Sequence, residues 1–130
     1  MNPAANLFLV FMGGGLGSLA RHLVNLMLTP DPGPRFFPFH TLSINVIGSV
    51  VIGVLAGMAG GVGKVPEPVR LLLVTGLLGG FTTYSGFSYE TLMLLREQRI
   101  GAAMGYAVIT VLGCLAAVWG GWTLGELASK

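Results

Sequence analysis

The chain has 130 residues, 53% of them hydrophobic and only 9% charged, with a net charge of +2 and an isoelectric point near 9.0. Soluble domains carry about 25% charged residues, so this composition excludes a water-clothed globule, and so small a positive balance carries no patch for nucleic acid. The single cysteine, Cys114, excludes an intrachain disulfide and a cysteine-rich metal site.

Residues 1–20, 36–63, 71–89 and 100–125 contain no Asp, Glu, Lys or Arg. A run of about 18 or more apolar, charge-free residues is a candidate transmembrane helix. The four runs predict an all-α integral membrane protein of one domain, residues 1–130, with helices at about 4–28, 39–60, 69–95 and 100–124. The first run has no Lys or Arg before Arg21, so it lacks the positive start of a removed signal peptide and reads as a span. Residues 29–38 (TPDPGPRFFP), 61–68 (GVGKVPEP) and 96–99 (REQR) read as turns, because proline ends helices and restricts the residue before it. Turns this short make consecutive helices antiparallel.

In the first helix, residues 7–18 (LFLVFMGGGLGS) suggest a glycine-rich nucleotide loop, but Ser18 stands where its third glycine belongs and no strand–helix alternation follows. The segment reads as a small-residue helix face. In the second helix, Thr41, Asn45 and Ser49 form a polar row that Gly53 and Gly57 continue, and in the fourth Gly113, Ala117, Gly121 and Gly125 share a face. Small residues four apart let helix backbones approach closely in lipid. A second polar row, Tyr106, Thr110 and Cys114, lies on the fourth helix.

The third helix carries the densest polar group, Thr75, then Thr82, Thr83, Tyr84, Ser85 and Ser88, ending at Glu90. Within it, residues 79–87 (GGFTTYSGF) are poor helix formers, so a break near the middle of this helix is expected. A break at membrane depth frees carbonyls that survive in a protein interior or facing a cavity or ion, and transporters hold Na⁺ with such oxygens. The alternative is an unoccupied kink whose hydroxyls bond back to their own backbone. Tyr84 and Phe87, three apart, project from one side of the following half-helix and offer positive ring edges to an anion, or else pack as core. Asn45 offers amide donors to an anion, or else an interhelical hydrogen bond. His22 and His40 stand alone without ligand spacing, which suggests helix-end or packing roles, and Glu90 lies near a span's end, where solvent or helix-end partners suit it. No carboxylate pair or Ser–His–Asp set occurs in the spans, so no catalytic constellation is expected.

Residues 14–21 (GGLGSLAR), 37–48 (FPFHTLSINVIG) and 79–90 (GGFTTYSGFSYE), followed by Tyr106 and Thr110, resemble in order the landmarks of the small bacterial fluoride channels, the Fluc or CrcB family. The resemblance covers essentially the full length. It implies a non-enzymatic, fluoride-selective channel in the bacterial inner membrane, built as an antiparallel, dual-topology homodimer that exports fluoride passively. It further implies a structural, untransported Na⁺ held by the backbone carbonyls of Gly79 and Thr82. The fluoride pathway it implies runs past Asn45, Tyr84, Ser85, Phe87, Tyr106 and Thr110, with Arg21 near an aqueous vestibule. Tyr84 stands where phenylalanine is usual, Gly86 where a hydroxyl is, and His40 where glycine is.

Two other functions compete. A four-helix proton-coupled exporter needs a titrating carboxylate deep in a helix, and the first helix has none. A non-transporting membrane scaffold would use the glycine ridges but leaves the polar rows and the helix break without a purpose. Charge also bears on topology. Lys64, Arg70 and Lys130 fall on one side of the membrane and Arg35, Arg96 and Arg99 on the other, joined there by Arg21 if it is counted. So even a distribution gives insertion almost no orientation, which suits a dual-topology dimer.

Overall fold

The computed structural model describes residues 2–28 and 37–130. Four long apolar helices make up nearly all of it: α1 (Pro3–Leu28), α2 (Phe39–Ala59), α3 (Glu67–Arg96) and α4 (Ile100–Ala128). Each is a membrane span by length and composition, since even the 21 residues of α2 extend about 31 Å, against a hydrocarbon core of about 30 Å. The turn expected at residues 29–38 lies outside the described residues except for Phe37 and Pro38. Between α2 and α3, Gly60 and Gly61 take positive φ (69° and 128°), and both Gly60 and Gly61 N–H groups return to carbonyls of the last turn of α2. Glycine adopts this conformation at no steric cost, which is why the helix stops there.

Helix α3 is composite. Arg70–Leu78 is π-helical, Gly79–Phe81 completes one α-turn, and the chain then leaves the helix at Thr82 (φ −76°, ψ 158°) and Thr83 (φ −151°, ψ 116°) before resuming over Tyr84–Arg96. The bend therefore falls on the two β-branched threonines, which favour extended backbone. The preceding glycine pair is helical.

Those glycines serve packing. Gly13 and Gly17 of α1 lie against the backbone of Leu72, Gly76 and Leu77, and Gly80 lies against Gly14. In the other half of the molecule, Gly53 and Gly57 of α2 meet Gly121, Trp122 and the backbone around Gly125 on α4. In both crossings the contact positions rise together along the two chains, so α1 with α3, and α2 with α4, are parallel pairs. The closest packing thus lies between alternate helices rather than consecutive ones. Apolar side chains give little driving force between helices in lipid, so backbone approach of this kind has to supply it.

An added Cβ on Gly121 would collide with the Val50 carbonyl oxygen, whereas one on Gly120 meets nothing within 4 Å. Gly121→Ala is expected to lower stability in detergent by about 1–3 kcal/mol, and Gly120→Ala to leave it within about 0.5 kcal/mol. Thermal or denaturant unfolding of the two variants side by side checks this.

Candidate functional site

The break in α3 is held open by side chains from two other helices. Asn45 on α2 accepts from the Thr83 N–H through Oδ1 at 2.9 Å and donates through Nδ2 to the Thr83 carbonyl at 3.1 Å. Arg21 on α1 donates through Nη1 to the Thr82 carbonyl at 3.4 Å. The threonines finish the work locally. Thr82 Oγ1 donates back to Leu78 O (2.8 Å), and Thr83 Oγ1 caps the following half-helix by accepting the Gly86 N–H (3.0 Å). Gly48 leaves room for the Thr82 side chain, because a Cβ there would strike Thr82 Cγ2.

Beside the break lies a cavity of about 490 Å³, lined among others by Asn45, Gly79, Thr82, Tyr84, Phe87 and Thr110. Its polar atoms are neutral. Thr110 is 6% exposed, and its hydroxyl has no hydrogen-bond partner among the described residues. Cys114, one turn further along α4, also lines it. The other residues expected in the site stand around the cavity. Tyr106 is fully buried behind Phe87, with ring centroids 5.2 Å apart. Ser85 is exposed, with Oγ 3.2 Å from Thr83 Oγ1. Arg21 is half-buried and reaches the break through the Thr82 carbonyl. Of the lining residues, Tyr84 is 81% exposed, its ring 5.6 Å from Phe87.

A sequence model of the family described as CrcB-like protein, Camphor Resistance, matches residues 8–122. The chain belongs to the CrcB-like family. It is 44% identical over 119 residues to the "Fluoride-specific ion channel FluC 2" of Nitrobacter hamburgensis, covering 92% of this chain and 95% of the relative. It is 42% identical over 122 residues to the "Fluoride-specific ion channel FluC" of Methylobacillus flagellatus (94% and 95%), and 46% over 115 residues to that of Anaeromyxobacter dehalogenans (88% and 90%).

In this CrcB-like chain Glu90 meets helix-end partners, His40 and Thr41 in the first turn of α2, and Tyr106 on α4 besides. The Glu90 side chain is 16% exposed and takes two hydrogen bonds and one imidazole contact from other helices. Thr41 Oγ1 donates to Oε1 and the Tyr106 hydroxyl to Oε2, both at 2.7 Å, and His40 Nε2 lies 3.0 Å from Oε1. Thr41 is 49 and Tyr106 16 positions away, so no local spacing announces the cluster. A signal was nevertheless available. Glu90 stands six residues before the third turn and Tyr106 seven residues after it, at equal depth on antiparallel neighbours.

Asn45 satisfies two backbone groups at once, so the apolar isostere leaves both Thr83 groups unpaired. Asn45→Leu is expected to lower stability by about 2–4 kcal/mol, read as a fall in the unfolding midpoint in detergent.

Proposed function

We propose that two oppositely oriented copies of the chain form a fluoride-specific channel in a bacterial plasma membrane, which lets cytoplasmic fluoride leave passively. The observation that carries this is the cavity at the helix break, where neutral donors and ring edges converge without a cation. A small, strongly hydrated anion needs replacement contacts for its water, and conduction needs those contacts to be several and weak. Asn45 uses one N–H on Thr83 and carries a second. Thr110 holds a desolvated hydroxyl, and Phe87 offers a ring edge whose positive side suits an anion. Tyr84 and Ser85 lie at the exposed side of this group, and Tyr106 one ring beyond Phe87. Arg21 contributes positive potential through the Thr82 carbonyl without lining the cavity. The relatives' names supply the identity of the anion.

Exposure at the break calls for a second copy. Gly79, Tyr84 and Ser85 are exposed at the break, and irregular backbone at membrane depth persists only under protein or facing a water-filled cavity. A second copy supplies that cover. The carbonyls of Gly79 and Thr82 lack their helical partners and would hold a structural Na⁺, the Thr82 oxygen through the lone pair that the Arg21 guanidinium does not take. Thr83 N–H, the helical partner of the Gly79 carbonyl, is taken by Asn45, and Gly86 N–H, that of the Thr82 carbonyl, is taken by Thr83 Oγ1. Carbonyl oxygens are hard neutral ligands of the kind such a cation takes. When bound, the ion supplies central positive charge, and the chain's own residues hold the break.

Proteoliposomes loaded with fluoride and chloride are expected to release fluoride and retain chloride. Phe87→Ile, which keeps bulk and loses the ring, is expected to cut the fluoride rate about tenfold in a protein that still elutes as a dimer. Replacing Na⁺ by a large organic cation is expected to lower both the flux and the melting temperature, because a ligand bound only to the folded state stabilises it. Release no faster than from empty liposomes overturns the channel reading.

Dual orientation is tested in intact cells with Cys114→Ser carrying Glu97→Cys in the third turn, which leaves every Lys and Arg in place. About half the cysteines are expected to react from outside and the rest only after permeabilisation. Reaction from one face alone excludes it.

A further inference from the structure

The three neighbours of Glu90 differ in one respect. Thr41 and Tyr106 present hydroxyls, whereas His40 Nε2, 3.0 Å from Glu90 Oε1, belongs to an imidazole, which can share one proton with a carboxylate. Such a pair holds one proton and is neutral, or holds none and carries a net charge of −1. The side chains are 11% and 16% exposed, so that charge is poorly screened. Glu90 also follows Phe87 by three residues, on the same side of the second half of α3. Phe87 lines the cavity and packs on Tyr106, which donates to the other Glu90 oxygen. An anion that passes Phe87 therefore meets the field of this pair next.

We infer that His40 is a positioning residue for Glu90 and, through the shared proton, sets the charge beside the anion path, so that fluoride flux rises as pH falls. The inference rests on the channel reading above. Among the described residues, Glu90 from α3 faces His40, with Thr41 beside it on α2 and Tyr106 from α4 on the far oxygen of the same carboxylate. Arg96, Glu97 and Arg99 lie more than a turn nearer the third loop, and Arg99 pairs with Glu97 at 3.5 Å. On α1, Arg21 is held at the Thr82 carbonyl and His22 is exposed. The His40–Glu90 contact is thus where a single proton decides between a neutral and an anionic neighbour for fluoride. Loss of that proton repels the anion. A unit charge within about 10 Å, at an effective dielectric near 20, changes anion occupancy by about tenfold.

The test is fluoride efflux from proteoliposomes at symmetric pH between about 6 and 8.5, the range over which histidine changes charge, with empty liposomes subtracting leak of neutral HF. Wild-type flux is expected to fall about threefold or more across this range. His40→Gln, which keeps a donor that does not titrate, is expected to give a flat profile, and Glu90→Gln another. If His40→Gln does not fold, His40→Gly takes its place with the same expectation. Wild-type flux that is constant with pH, or a His40 variant that keeps the wild-type slope, overturns the inference while leaving the channel reading intact. Folded wild-type protein that conducts no fluoride at any pH overturns both.

Discussion

Asn45 and the backbone of Thr83 form the contact on which the rest of the site depends. Inside a bilayer no water reaches a freed N–H or C=O, and each unpaired group costs several kcal/mol. A single carboxamide answers both at Thr83, because it presents an acceptor and a donor side by side. That contact requires α2 to lie close to the break, which Gly48 permits at Thr82. It also requires α1 to bring Arg21 to the Thr82 carbonyl, and the close approach of Gly13, Gly14 and Gly17 to the first half of α3 does this. The glycine crossings are the means by which a bent helix becomes affordable in lipid.

Much of this architecture was legible because lipid imposes simple rules. Charge-free runs mark spans, and glycines four apart mark crossings, as Gly53 with Gly57 and Gly121 with Gly125 do here. The bend in α3 was legible in type but not in place. Residues 79–87 look uniformly poor as helix, yet Gly79 and Gly80 remain helical, because Gly80 is needed against Gly14, and the chain turns extended at Thr82 and Thr83 instead. The π-helical stretch Arg70–Leu78 has no such signature, since its apolar residues suit an α-helix equally well. The Glu90 cluster escaped a reading based on spacing along one helix, because its members meet only across three helices.

The two roles considered for Asn45 are compatible. The interhelical bond is present, and it uses one of the two N–H groups of an amide that lines the cavity. The same holds for Phe87, which packs against Tyr106 on one side and borders the cavity with its ring. Residues that hold a bent backbone are already desolvated and fixed in orientation, and a donor in that condition needs no reorganisation to receive an ion. Structural and functional readings of such residues therefore converge rather than compete.

Four rings connect the cavity to the Glu90 cluster. Tyr84, Phe87, Tyr106 and Phe37 follow one another with centroid separations of 5.6, 5.2 and 5.5 Å, the last pair edge to face at 79°. Ring edges carry only partial charge, so on the proposed path an anion would be held weakly throughout. Against so shallow a background, a full carboxylate charge beside the third ring, Tyr106, would dominate the field. Hydroxyls from Thr41 and Tyr106 orient that charge and spread it over their bonds, but they do not remove it. Only a proton can, and among the described residues His40 stands where it can share one with Glu90. On the inference drawn above, a single residue at the start of α2 adjusts the path proposed beside the bent helix.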